Sequence, residues 1–186
     1  MSTLDWLKDY DSDLFSQVTA VMGDQPSPYY DDELISKLKQ VGVTGFYFNS
    51  VHGDSELAPD WLPKSDRLGV LILKGTATRT SANFISQMYE TALNSVAKGG
   101  KMHTILYFKD AKIEFQSLFS LGNLNKHASM GAQAIVGSPT TGFLKAVTEF
   151  VSRYAGRDDI FQFDKGEWEN GLKAIEQHVR EKSVVN

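Results

Sequence analysis

From residue 69 onward the chain alternates short apolar runs with segments of helical spacing, and that rhythm constrains the fold more than any other feature. Three runs recur, at 69–73 (GVLIL), 102–108 (MHTILYF) and 132–137 (AQAIVG), with a weaker fourth at 160–163 (IFQF). Apolar runs of this length, each followed by a helical pattern, predict strands of a buried, largely parallel or mixed sheet. Thr80 or Ser81 starts the first intervening helix, with Phe84, Ile85, Met88, Ala92, Leu93 and Val96 on one face and a stop at Gly99-Gly100. Ile113, Phe115, Leu118, Phe119 and Leu121 predict a second, broken near Gly122. Ser138-Pro139 opens a third, ended by Gly156, and a last helix starts near Glu167.

The first 66 residues read differently. Leu4, Leu7, Leu14, Phe15, Val18 and Met22 recur at helical spacing, as one amphipathic helix or two short ones. The stretch 23–28 (GDQPSP) is a turn. A short helix over 31–41 carries acids in its first turn and Lys37 and Lys39 near its last, which suits the helix dipole. Residues 43–51 (VTGFYFNSV) read as a strand. Residues 52–68 read as a loop anchored by Trp61 and Leu62. Composition shifts at 66/67, dividing a turn-rich, acidic extension (1–66) from a regular α/β domain (67–186). The expected fold class is α/β: a mixed sheet of four or five strands with helices packed on it, plus an α-rich extension that adds an edge strand.

The residues 69–182 resemble the STAS-type domain, especially its SpoIIAA-like branch. GVLILKGTAT is similar to the family's first strand, GGKMHTILYF to its glycine hinge and central strand, and AQAIVGS followed later by DDIFQFDKGEWENGLKAIEQH to its final strand and closing helix. Partner-switching members carry a phosphorylatable serine after the central strand. Here that region reads Lys109-Asp110-Ala111-Lys112-Ile113-Glu114, without a serine. The resemblance therefore implies the other mode of the SpoIIAA-like branch, the binding of ligands such as lipids, or contacts with proteins.

The residues themselves offer few reactive constellations. The chain has no cysteine, which excludes disulfides, thiolate metal sites and a cysteine nucleophile. His52, His103, His127 and His178 share no metal-ligand spacing, and no metal or cofactor is called for. No G-x-S-x-G elbow is present. Residues 137–142 (GSPTTG) lack the Gly-Lys-Ser/Thr ending of a P-loop. Asp110 is the most plausible lone general base, although it also suits a strand-end turn.

Two hydroxyl-rich segments are the candidate ligand site: Thr76, Thr78, Arg79 and Thr80 after the first regular strand, and Ser138, Thr140 and Thr141 at a helix start. Helix starts can hold anions, and ligands of open α/β sheets favour the carboxyl ends of strands. The plainer account of both is helix capping, with Ser138 as N-cap and Pro139 at N1. Phe46-Tyr47-Phe48, with Tyr29, Tyr30 and Trp61, read as core on one strand face or as a hydrophobic groove.

The net charge is −4 and the pI about 5.5, with no basic helix, so nucleic acid is not an expected partner. The acidic N-terminus is not a signal peptide, and no apolar run reaches a bilayer-spanning length. The expectation is a cytoplasmic, non-enzymatic binding or regulatory protein, monomer or homodimer, with no stable membrane insertion. It would take a small hydrophobic or anionic ligand, or a protein partner. The alternatives are an enzyme with its site at loops 76–81 and 138–142, or a structural oligomerisation module.

Overall fold

The structure is a computed structural model that describes residues 3–29, 31–137, 141–163 and 167–185. Five strands form one sheet in the order β1 (Val43–His52), β2 (Arg67–Ala77), β3 (Met102–Ile113), β4 (Met130–Val136) and β5 (Ile160–Phe163). β1 pairs antiparallel with β2, and the other neighbours are parallel. Seven helices accompany them among the described residues: α1 (Thr3–Tyr10), α2 (Ser12–Met22), α3 (Asp32–Gln40), α4 (Arg79–Asn94), α5 (Leu118–Leu124), α6 (Thr141–Ala155) and α7 (Trp168–Val184). The chain is α/β with a mixed sheet, and the extension's strand sits at the edge.

Side chains alternate along each strand, so a sheet covered on both faces needs two apolar layers. Leu71, Leu73, Leu106, Phe108 and Ile135 point to the layer shared with α3, α4 and α6. Val70, Ile72, Ile105, Ala134 and Val136 point to the layer shared with α1, α2 and α7. Phe46 and Phe48 enter the first layer and Tyr47 the second, so the aromatic run is core on both faces rather than one. Tyr30 lies outside the described residues.

The loop before β2 is anchored as its apolar residues predict, with Leu62 buried and Trp61 packed beside it on the second layer. Asp31 caps α3 by accepting the Leu34 N–H at 2.9 Å. Asp11 caps α2 in the same way through Leu14. The helical run over 3–22 is thus two helices, divided at Asp11.

Two strands are longer than their apolar runs. β2 continues to Ala77 and β3 to Ile113 because they pair with each other through Lys74–Asp110, Thr76–Lys112 and Ala77–Ile113. Ile113 is therefore a strand residue, not the start of a helix. A 3₁₀ turn at Phe115–Ser117 follows, and α5 begins only at Leu118. The Ala77 carbonyl fixes this turn by accepting the Glu114 N–H at 3.0 Å and the Ser117 hydroxyl at 2.9 Å. α4 ends at Asn94, before the expected Gly99-Gly100 stop.

α1 lies close enough to β1 that position 45 must be glycine. A Cβ there would fall 1.9 Å from Trp6 Cζ2. Trp6 stacks on Tyr10, with ring centroids 5.4 Å apart. We expect Gly45→Ala to displace Trp6 and to cost about 1–3 kcal/mol, the usual cost of overpacking. Urea unfolding followed by tryptophan fluorescence measures it.

Candidate functional site

The layer under α4, α5 and α6 is incompletely filled. α5 is only seven residues long and packs mainly on α4 and α6 rather than on the strands. Beneath it remains a cavity of about 60 Å³. Leu71, Leu73, Leu106, Phe108 and Ile135 of the sheet form its floor, α4 supplies Ile85 and Tyr89, and Leu124 and Val151 close the top. An apolar void of this kind costs roughly 1–2 kcal/mol in lost packing, at about 24 cal/mol per Å³.

One end of the cavity is polar. Tyr89, Gln133 and Asn125 are buried among its lining residues there, near the amino end of β3, while the buried Ser117 lines it at the carboxyl end of β2. The Tyr89 hydroxyl is hydrogen-bonded to Thr104 Oγ1, and burial pushes its pKa up to about 12. Gln133 Nε2 donates to Met130 Sδ at 3.2 Å. Arg157 Nη1 donates to Asn125 Oδ1 at 3.3 Å, while its Nε donates to Asp159 at 2.8 Å. A fixed guanidinium thus sits behind Asn125 and orients its amide. These side chains can orient one polar group of an otherwise apolar molecule. None offers a nucleophile beside a base.

Of the residues singled out from sequence, none of the described ones lines this cavity. Thr76 lies within β2. Thr78 is the N-cap of α4, in a reciprocal capping box with Ser81. Arg79 and Thr80 are exposed in the helix's first turn, and Ala77 beside them lines the cavity. Ser138 and Thr140 lie outside the described residues, and Thr141 opens α6. β2 and β4 are not neighbours, since β3 runs between them. Their carboxyl ends still lie at the same end of the sheet because all three are parallel.

Asp110 is inside β3, opposite Lys74, rather than at a strand end. Its carboxylate accepts a hydrogen bond from the Tyr10 hydroxyl. Burial, then that hydrogen bond, raises the Tyr10 pKa far above the ordinary phenol value. Tyr10 remains protonated and Asp110 fastens α1 to the sheet.

A polar cleft of about 400 Å³ lies at the amino ends of β2, β3 and β4, with Asp66, Lys101, His103, Asp159 and His178 in its walls. His103 Nδ1 accepts the Ala132 N–H at 3.0 Å, so the ring proton sits on Nε2 and is donated to Asp66 at 3.0 Å. Both nitrogens are thereby occupied, and His103 joins β3 to β4 and to the loop before β2. A side chain at Gly131 would reach within 2.7 Å of Nδ1, so glycine is required there. Burial alone would raise the Asp66 pKa. Hydrogen bonds from His103, the Lys101 N–H and Ser65 outweigh it, and the carboxyl is held below its usual value. Burial holds the His178 imidazole below its ordinary pKa.

Sequence reasoning missed the Asp66–His103 pair and the polar end of the cavity. The available signal was a polar residue inside an apolar strand, His103 in MHTILYF and Gln133 in AQAIVG. Among the described residues no three histidine or acidic side chains cluster as metal ligands, and no helix is long and apolar enough to cross a membrane. Comparison with protein-family models, curated proteins and solved structures gave no match.

The depressed Asp66 pKa has a pH consequence. A carboxyl whose folded pKa lies below its unfolded value, about 3.9, stabilises fully above that value and loses the contribution as pH falls through the folded pKa. Urea midpoints measured from neutral pH downward should fall below about pH 4. The fall should be shallower in Asp66→Asn, which should already be less stable at neutral pH.

Proposed function

We propose that this chain is a non-enzymatic binding protein of the STAS type, similar to the SpoIIAA-like branch, whose ligand is a small, mainly apolar molecule held between the sheet and α4–α6. The observation that carries this reading is the apolar cavity between the sheet and the helices, with Tyr89, Gln133 and Asn125 buried at one end. Of the two ligand classes that the sequence suggests, the walls favour the hydrophobic one: Leu71, Leu106 and Ile135 face the void, while Arg79 points to solvent. The succession of parallel strands and intervening helices from β2 to α7 supports the resemblance.

Size decides how the ligand enters. A cavity of about 150 Å³ accepts benzene, and this one measures about 60 Å³. The closed form therefore takes only a few heavy atoms, and a longer chain requires α5 to move outward. The described polar ties of α5 are weak enough for that. Ser120 donates to Asn83 at 2.7 Å and Tyr154 to Asn123 at 3.0 Å, both at the exposed surface. Each such bond contributes only about 1 kcal/mol. Displacing α5 exposes the cavity without disturbing a strand.

The enzyme reading has less support. It needs a perturbed carboxylate within a polar cluster at residues 76–81. The described carboxylate with a shifted pKa, Asp66, lies at the far end of β2.

The test is a titration with straight-chain alkanols of increasing length, read by the methyl NMR signals of Leu71, Leu106 and Ile135. Saturable shifts confined to these methyls are expected. Leu106→Phe fills the void and should weaken binding at least about tenfold, or 1.4 kcal/mol, with melting temperature held or raised. Unsaturable shifts, or equal binding by the variant, would contradict the proposal.

A further inference from the structure

Phe115, Phe119 and Tyr154 are 61%, 50% and 40% exposed, in a molecule whose other aromatic side chains mostly enter the two core layers. With the half-buried Phe150 they form one connected group. Phe115 meets Phe119 edge-on at 6.1 Å, Phe119 meets Phe150 at 5.7 Å, and Tyr154 stacks on Phe150 at 5.8 Å. The group belongs to the 3₁₀ turn, α5 and α6, the same elements that roof the cavity. A contiguous exposed aromatic surface of this kind marks an interaction site.

Charge indicates the partner. Lys126 Nζ lies over the Tyr154 ring at 3.7 Å. Lys112 and Arg153 are exposed within three residues of Phe115 and Tyr154, with Glu114 and Glu149 as acids nearby and Glu90 in the same surface groove as Lys126. Residues 109–153 hold five Lys and Arg against three Asp and Glu, while the rest of the chain holds 14 against 20. The aromatic face therefore belongs to a locally basic segment of an acidic molecule. Amphipathic rings at headgroup depth, flanked by lysine and arginine, suit the surface of an anionic bilayer.

We propose that the face formed by the 3₁₀ turn, α5 and α6 docks reversibly on anionic membrane surfaces, with Phe115 and Phe119 inserted among the headgroups. Docking there places the cavity's roof against the lipid, where an apolar ligand can be exchanged without crossing water. The docking itself does not depend on the cavity's occupant.

Co-sedimentation with phosphatidylcholine vesicles, with and without phosphatidylserine, tests it. The protein should bind the phosphatidylserine-containing vesicles and be released by added salt. Phe115→Ser/Phe119→Ser should weaken binding tenfold or more, since each ring loses apolar contact with the lipid. Both positions are half exposed or more, and an unchanged circular dichroism spectrum establishes that the variant folds. Leu106→Phe, which closes the cavity, should still bind vesicles, so failure of ligand binding and failure of docking are separable. Absence of vesicle binding, equal binding to uncharged vesicles, or full binding by the double variant would overturn the proposal. So would a concentration-dependent dimer in sedimentation velocity that the double substitution abolishes, since a second copy would then cover the rings.

Discussion

Parallel pairing of β2, β3 and β4 leaves strands with two apolar faces, and both must be kept from water. Everything else in the molecule answers to that requirement. The connections between parallel strands supply α4, α5 and α6 to one face, and α7 returns to the other. α1 and α2 complete the cover beside α7, and α3 sits beside α4. β1 adds a row of hydrogen bonds to β2 and places Phe46, Tyr47 and Phe48 alternately in the two layers.

Coverage is uneven, and the candidate function lies where it is weakest. α4 and α7 are 16 and 17 residues long and carry continuous buried faces. α5 has seven residues, so the sheet below it is roofed without being filled. Buried polar side chains gather at one side of that gap, held by Arg157 and Asp159 at the edge of the sheet. Exposed aromatic rings gather on its outer side. Next to those polar side chains, at the amino ends of β3 and β4, Asp66, His103 and the Ala132 N–H join the loop before β2 to β3 and β4.

The strands were readable because burial on both faces makes them continuously apolar, and β5 coincides with its predicted run. The polar tail of β3 was not readable. Lys109, Asp110 and Lys112 resemble a loop in sequence, and only pairing with Lys74 and Thr76 makes them a strand. The first turn of α4 was legible as a hydroxyl-rich cap, which Thr78 and Ser81 form. The cavity could not be seen, because a void is a mismatch of volumes between distant segments and leaves no mark on spacing. The Asp66–His103 pair was hidden for a related reason, since its members are 37 residues apart. The exposure of Phe115 and Phe119 depends on how short α5 proves to be, and a helical apolar pattern alone assigns both to the core.

Native mass spectrometry tests the central claim most directly. Protein purified gently, then incubated with a lipid extract of the same cells, is weighed intact and again after denaturation. The account predicts an added mass that disappears on denaturation and is reduced in Leu106→Phe. A bare polypeptide mass both before and after incubation, or an added mass that Leu106→Phe retains in full, would contradict a ligand held in the cavity beneath α5.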